Sequence, residues 1–355
     1  MQGNVIVGQS GGPTSVINSS LVGVYKTAKD RGVKKVYGMR HGIEGLLNEQ
    51  YVDLEDYIKS DLDIELLKRT PSSFLGTCRY KLPDVETDSE VYWRLFNILH
   101  KMDIKYFFYI GGNDSMDTIK KLSNYAESIN SDIRFMGVPK TIDNDLTATD
   151  HTPGYGSAAK YIASAMKEII RDAKTYPTDS ITVVEIMGRN AGWLTAASAL
   201  SRAEDCTGPD LIYLPEVEFD YDKFLKKVME IKKYQTTAVI AVSEGIKTAD
   251  GLYVSEANKK SVYVDSFGHK QLGGTALYLA DFLGEQTGIK SRGIVFSTLQ
   301  RCASHIVSRR DITEAYTVGA DAVQAALNGD TGKMVTLERI SNTPYQIKTG
   351  LYDVN

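Results

Sequence analysis

The feature that most narrows the choice of fold is an alternation. Short runs rich in β-branched and aromatic residues each give way to a polar turn and then to a helical pattern. "NVIVG" precedes "SVINSSLVGVYKTAKDRG", "YFFYIGG" precedes "SMDTIKKLSNYAESI", "ITVVEIMG" precedes "WLTAASALS", and "TAVIAVSEG" follows later. Such repeats predict βαβ units and a parallel sheet. In sheets of this kind ligands bind beyond the carboxyl ends of the strands. Those ends carry the polar motifs: "GQSGGPTS" after the first run, "GGNDS" after the second, "PKTIDND" after "IRFMGV", "MGRNAGW" after residues 181–186, and "SEG" after 237–242.

A chain of 355 residues, 42% hydrophobic and 24% charged, can bury a full core and is long enough for two domains. Forty-one basic and 45 acidic residues give a net charge of −4, which offers no general attraction to nucleic acid or to an anionic membrane. The 21 tyrosines are scattered rather than set among basic residues, so they build no stacking platform for single strands. Cys78, Cys206 and Cys302 are odd in number and widely spaced, a pattern of unpaired thiols in a reducing, cytoplasmic compartment rather than of a disulfide framework or a zinc site. The first residues lead directly into a strand without the features of a signal peptide, and no segment reaches membrane-spanning length. His41, His100, His151, His269 and His305 show no metal-ligand spacing and are read as structural or surface residues. No repeat or linker stands out, so the domains are expected to be joined by several chain crossings.

In "SGGPTS", Gly11 and Gly12 allow backbone amides close to a ligand, and the helix start that follows favours an anion such as phosphate. The same stretch also reads as a plain tight turn with a capped helix. It is neither a Walker A loop nor a full dinucleotide fingerprint. "PKTIDNDL" concentrates Lys140, Thr141, Asp143, Asn144 and Asp145 in one turn. That set fits phosphoryl transfer: an amine neutralises phosphate charge, one carboxylate accepts a hydroxyl proton, and the other holds the first or assists magnesium. An Asx-turn whose aspartates cap amides is the structural alternative. Arg189 follows a glycine at one strand end, ready for a phosphate or sugar oxygen, and Glu244 stands at another, where it can accept bonds from a polyol. Each alone is commonly a surface charge; their convergence on strand ends favours function.

Taken in order, "GQSGGPTSVINSSL", "YIGGNDSMDTIKKL", "GVPKTIDNDL", "VVEIMGRNAGW", "AVSEG" and "SRGIVFSTLQR" resemble the 6-phosphofructokinase family over most of the chain. The resemblance implies two Rossmann-like three-layer α/β/α domains with the active site in the cleft between them. It implies that Gly11 touches the phosphoryl donor and that Asp143 is the base for the sugar 1-hydroxyl. Thr141 and its neighbour Ile142 belong to the segment that meets the transferring group or the sugar. Met187, Gly188 and Arg189 would line the sugar-phosphate site, with Glu244 on the sugar hydroxyls and Arg301 on the 6-phosphate. Thr298 stands where the family's "GHIQR" segment has histidine. Arg292 matches an arginine supplied by a neighbouring subunit, which implies a homodimer or homotetramer. Arg79 resembles the arginine that bridges donor and acceptor phosphates.

Members using ATP carry "GGDGS" and "PGTIDND", whereas those using pyrophosphate carry "GGDDS" and "PKTIDND". This chain has Asp114 and Lys140 at the deciding positions. A carboxylate at the turn repels the α-phosphate of a nucleotide, while pyrophosphate lacks that group. Magnesium is the implied cofactor, with Asn113 where the family has an acidic ligand, and Ser180 stands where the family often has a basic residue. "DSFGHKQLGGTALYLADFLGEQTG" resembles an insertion of the pyrophosphate-type branch. The expected activity is reversible transfer from pyrophosphate to fructose 6-phosphate. A donor domain of residues 1–157 plus about 300–355 and a sugar-phosphate domain of 158–299 are expected. The alternatives are the same chemistry with ATP, a non-catalytic regulatory subunit that binds sugar phosphate, and, more distantly, a dinucleotide-binding oxidoreductase. Sedoheptulose 7-phosphate shares the accepting end of the sugar and stays open as a substrate.

Overall fold

The computed structural model describes residues 3–257 and 273–355. By its internal contacts the chain divides into two compact units, Met1–Ser157 with Val307–Asn355, and Ala158–Ile306. The first unit opens with β1 (Asn4–Gln9), α1 (Ile17–Asp30), β2 (Val36–Met39), α2 (Gly42–Leu47), β3 (Tyr51–Asp53), α3 (Asp61–Arg69) and α4 (Ser89–Lys101). It continues through β4 (Ile104–Gly111), α5 (Asn113–Ser128) and β5 (Arg134–Pro139). Helix α6 (Tyr155–Ala173) starts in the first unit and carries the chain into the second. There follow β6 (Ser180–Ile186), α7 (Trp193–Ala197), β7 (Leu211–Tyr213), α8 (Tyr221–Lys232), β8 (Thr237–Ser243), α9 (Thr275–Thr287), β9 (Lys290–Val295) and α10 (Leu299–Cys302). The chain then returns to the first unit with α11 (Arg309–Leu327), β10 (Lys333–Asn342) and β11 (Tyr345–Asp353).

In the first unit the sheet runs β11-β10-β5-β4-β1-β2-β3. Its five inner strands are parallel, and β3 and β11 are antiparallel edges. The near-continuous apolar strands follow from burial on both faces. Val5, Val7, Phe108, Ile110 and Met136 point to a layer with Leu21 and Val24 of α1 and Val318 and Ala322 of α11. The alternate residues Ile6, Phe107, Tyr109 and Phe135 point to the opposite layer, with Ile43 of α2, Phe96 of α4 and Ile119 of α5. The result is a three-layer α/β/α unit. In the second unit the sheet runs β7-β8-β6-β9, all parallel. Ile181, Val183, Ile240 and Val242 pack with Phe224 and Val228 of α8 and Leu279 and Leu283 of α9. The alternate residues Val184, Ile186 and Ala241 are fully buried too, so both faces of this sheet are covered.

Each sheet reverses its strand order once near the middle. β1 has β4 and β2 as neighbours, and β6 has β9 and β8. At such reversals the loops beyond adjacent strands diverge and leave room for a ligand. The loops after β1 and β4 are "GQSGG" and "GGND"; those after β6, β8 and β9 carry "MGR", "EG" and "STLQR".

The antiparallel hairpin of β10 and β11 was not legible as part of this sheet. It enters by pairing Lys333 with Met136 and Met334 with Gly137, a contact some 200 residues apart along the chain that no local pattern encodes. Within the segment resembling an insertion, residues 265–272 lie outside the described residues, and α9 forms most of the remainder. Among the described residues no helix is long and apolar enough to cross a membrane.

Candidate active site

In the first unit three strand ends meet. Gly11, directly beyond β1, has φ +73°, a conformation that costs a residue with a Cβ, and an added Cβ would lie 3.4 Å from the Lys140 ammonium. Lys140 itself is 2% exposed. Its Nζ donates to the Gly12 carbonyl at 2.6 Å and its backbone N–H donates to the Gly111 carbonyl at 3.0 Å. One lysine at the end of β5 therefore ties together the turns after β1 and β4. The Ser10 N–H closes the same junction by donating to the Ile110 carbonyl at 2.9 Å.

Helix α5 begins at Asn113 and Asp114, just past that junction, and its N-cap Gly112 supplies no side-chain cap. First-turn N–H groups lack intrahelical partners and bear the positive end of the dipole, which suits an anion. Asp114 is exposed there. Its carboxylate is favourable for the helix and unfavourable for any further phosphate beside it. An acidic residue therefore stands on a helix start that would otherwise suit an anion.

The loop after β5 is shaped by its own polar groups. Asp143 N–H donates to Thr141 Oγ1 at 3.1 Å, and Thr152 N–H donates to Asn144 Oδ1 at 3.0 Å, with Asn144 at φ +56°. The first is a threonine turn and the second spans eight residues, so in neither does an aspartate of the loop cap an amide as the structural alternative foresaw. Ile142 is buried and anchors the loop, leaving Asp143 half-buried. Asp145 accepts from the Asn113 amide nitrogen at 2.8 Å. Burial pushes the Asp145 carboxyl above the usual range, against opposing bonds from Thr141 and Asn113 and the charge of Lys140. The residue as a whole is exposed; it is the carboxyl end, turned towards Asn113, that is crowded.

Arg79 lies on a segment without regular structure that crosses over the first turn. Thr77 Oγ1 donates to the Gly11 carbonyl at 2.6 Å, and the Gly11 N–H donates to the Cys78 carbonyl at 3.2 Å. Gly11 and the residues just before Arg79 are thus locked to each other. Sequence reasoning named Gly11 and Arg79 without Thr77. The signal that could have found it, a threonine two residues before the arginine, is weak on its own.

In the second unit Gly188 has φ +132°, and an added Cβ would lie 2.3 Å from the Ala191 carbonyl, so the loop after β6 requires glycine here. Its N–H donates to Glu244 Oε1 at 3.3 Å, while its carbonyl accepts from Ser243 Oγ at 2.6 Å. Met187 N–H donates to Gln300 Oε1 at 3.1 Å. Met187, Gly188 and Glu244 therefore form one cluster that also includes Gln300, which sequence reasoning missed. Arg189 follows in the same loop, and its carbonyl lies close against Gly245. Arg301 is half-buried, and its Nε is buried with no hydrogen-bond partner among the described residues. Thr298 is exposed at the cap of the short helix that holds Arg301.

Arg292 is not brought to this cluster. It sits within β9 opposite Thr182 and lines a recess of about 230 Å³ with Glu168, Asp172 and Ile294. Its Nη1 is 3.9 Å from Asp172 Oδ2, a loose and exposed pairing. Ser180 pairs in register with Lys290, so a basic side chain stands on the neighbouring strand at the level where Ser180 lacks one.

Residues 4–326 match the family described as "Phosphofructokinase". The chain belongs to the phosphofructokinase family. It is 41% identical over 348 residues to the pyrophosphate–fructose 6-phosphate 1-phosphotransferase of Halomonas elongata, covering 97% of this chain and 82% of the relative. It is 43% identical over 361 residues to the enzyme of the same name from Rhodospirillum rubrum, covering 99% and 87%. Among solved structures, the pyrophosphate-dependent phosphofructokinase of Nitrosospira multiformis superposes with a TM-score of 0.87 at 37% identity, covering 100% of this chain and 84% of that one. A phosphofructokinase is a phosphotransferase.

Proposed function

We propose that this phosphofructokinase transfers a phosphoryl group reversibly from pyrophosphate to the 1-hydroxyl of fructose 6-phosphate, giving fructose 1,6-bisphosphate and phosphate. The observation that carries the donor assignment is the pairing of buried Lys140, bonded to the Gly12 carbonyl, with Asp114 on the first turn of α5. An ammonium held against the first glycine turn supports a short, highly charged donor. The carboxylate disfavours the extra phosphate of a nucleotide. The names of the relatives at 41–43% identity agree with this reading.

In the proposed step Asp143 accepts the proton of the sugar 1-hydroxyl. The oxygen attacks the terminal phosphorus, the bond to the bridging oxygen breaks, and phosphate leaves. Lys140 and Arg79 stabilise the charge that develops on the transferring group, and Gly11 and Thr141 position it. Met187, Gly188, Arg189 and Glu244 orient the sugar, and Arg301 receives the 6-phosphate; its unpartnered buried Nε supports that role. Thr298 is placed with it. Arg292, remote from this cluster, would serve a neighbouring copy in a homodimer or homotetramer.

Among the described residues no group of three His, Cys, Asp or Glu is gathered to hold a metal. Magnesium nevertheless fits the residues present, since it is commonly held by one or two carboxylates together with substrate phosphates. Asn113 uses its amide nitrogen on Asp145, so its carbonyl oxygen and the two loop carboxylates Asp143 and Asp145 supply hard oxygen donors. When bound, magnesium would neutralise charge on the phosphates. The first unit would take the donor and the second the sugar phosphate.

The test is formation of fructose 1,6-bisphosphate from fructose 6-phosphate and magnesium, with pyrophosphate or ATP as the only donor in parallel reactions. Product with pyrophosphate and not with ATP is expected. Product with ATP alone would overturn the donor, and silence with both would favour a regulatory subunit.

A further inference from the structure

The turn after β1 is flanked by two fully buried amides, Gln9 at the end of β1 and Asn18 in the first turn of α1, both 0% exposed. Gln9 Nε2 donates to Asn18 Oδ1 at 2.9 Å. Neither amide spends its remaining capacity on its own strand or helix alone. Asn18 Nδ2 donates to the carbonyls of Thr70 and Ser72, each at 2.9 Å, and Asn18 Oδ1 also accepts the Phe74 N–H at 2.9 Å. Gln9 Oε1 accepts the Leu75 N–H at 2.9 Å. Every hydrogen-bonding position of the Asn18 amide is filled, with two donors and two acceptors matched to partners of opposite kind.

The segment so gripped, residues 70–75, has no strand or helix to satisfy its backbone, and it runs straight into Thr77, Cys78 and Arg79. Thr77 and Cys78 then bond back to Gly11, on the turn between the two amides. The connection is a closed loop: the strand end and the helix start hold the crossing segment, and the segment holds the glycine turn. In a dry interior each of these bonds is strong and each loss leaves a buried group unpaired.

We propose that the Gln9–Asn18 amide pair is a positioning device for phosphoryl transfer, which sets the distance between the donor turn at Gly11 and the arginine at position 79. Neither amide is itself a catalytic residue. The inference rests on the donor-turn reading given above, and it adds that the geometry of this turn is controlled from behind by side chains that never meet substrate. A displacement of about 1 Å in a reacting geometry can cost on the order of 100-fold in rate, so the device would be felt in kinetics well before the fold is lost.

Two variants test it. Asn18→Asp is isosteric, keeps the acceptor, and sets a carboxylate against the Thr70 and Ser72 carbonyls in place of two donors. Thr77→Val removes only the bond to the Gly11 carbonyl, from a side chain that is not buried, with Thr77→Ser as its conservative rescue. The expected result for folded Asn18→Asp is a rise of about ten-fold or more in KM for pyrophosphate together with a fall in kcat. KM for fructose 6-phosphate should stay within about two-fold, and backbone amide exchange should become faster at Phe74 and Leu75. Thr77→Val should shift the same two kinetic constants less, and Thr77→Ser should restore them. Equal changes in both KM values, or unchanged donor kinetics in Thr77→Val, would overturn the proposal even if Asn18→Asp failed to fold. If the unaltered protein proves to use ATP, the functional reading of the donor fails, and the same split measured with ATP still decides the positioning role.

Discussion

The strand-end loops of the two units are built differently. In the first unit the glycine turn after β1 is held from behind by Gln9 and Asn18, both 0% exposed and each bonded to backbone from another part of the chain. In the second unit buried Ser243 and Gln300 hold the Gly188 carbonyl and the Met187 N–H, but the Gly188 N–H is held by Glu244, a half-buried group that is itself an expected ligand of substrate. A shape held from behind can be kept while the front is changed. A shape held by its own ligand-binding residues cannot. Donor-side variants should therefore separate into those that alter chemistry and those that alter geometry, whereas sugar-side variants should mix the two.

The largest effect should come from Asp143→Ala. Loss of the general base is expected to lower kcat by roughly 100- to 10,000-fold with an unchanged circular dichroism spectrum and melting temperature. Near-normal turnover would remove Asp143 from that role. Next in size, Lys140→Met keeps most of the side-chain volume while deleting the charge held against the Gly12 carbonyl. A drop of about 100-fold in kcat/KM with pyrophosphate is expected, measured beside KM for fructose 6-phosphate, which should hold. A matching change in both substrates would mean that the first unit is no more separable than the second.

Asp114→Gly sharpens the same contrast. Relief of like-charge repulsion should raise kcat/KM with ATP by about ten-fold or more, read against the value with pyrophosphate. On the sugar side, Glu244→Gln should raise KM for fructose 6-phosphate by roughly ten-fold and also lower stability, since one carboxylate serves both purposes. If thermal melting showed no loss, the claim that this loop is held by its own ligands would fail.

The smallest expected effect concerns the first unit alone. His151 bonds Asp150 at 2.8 Å and Glu314 at 2.7 Å, and Tyr345 donates to Glu314 at 2.7 Å. Arg339 completes the cluster by bonding Asp150, which fastens the loop after β5 to α11 and the terminal hairpin. Burial works against the charged ring, but the bonds to Glu314 and Asp150 outweigh it and leave the His151 pKa above its ordinary value of 6.5. A raised pKa in the folded state gives stability that is fully present below about pH 6.5 and is lost as pH rises through the folded value. His151→Asn should therefore lower the melting temperature by a few degrees at pH 6 and by less at pH 9. An equal loss at both pH values would show that the ring packs without its charge mattering.

Much of the candidate site was legible because its residues sit in short contiguous motifs. Gly11, Lys140, Asp143, Gly188 and Glu244 each lie within a few residues of a strand end that the apolar pattern already marked, and a strand end in a parallel sheet is where ligands bind. Thr77, Gln300, Gln9 and Asn18 were not picked out. Their roles depend on partners tens or hundreds of residues away, such as Gln300 on the Met187 N–H, and an isolated glutamine or asparagine announces nothing about what it will meet. The position of Arg292 illustrates the same limit: its motif was recognisable, but only the strand register shows it in the middle of β9, beside α6 and apart from the loops that hold Met187 and Glu244.

Local features were readable along the chain: which runs would be strands buried on both faces, which turns needed glycine, and which strand ends carried charge. Those follow from periodicity and from the conformational limits of single residues. How the pieces close on one another came from long-range packing alone. The return of α11, β10 and β11 to the first sheet, the burial of the Lys140 ammonium against the Gly12 carbonyl, and the grip of Gln9 and Asn18 on residues 70–75 all depend on packing between distant segments. A buried polar group is satisfied only by the partner that the fold delivers, and that partner is written nowhere near it in the chain.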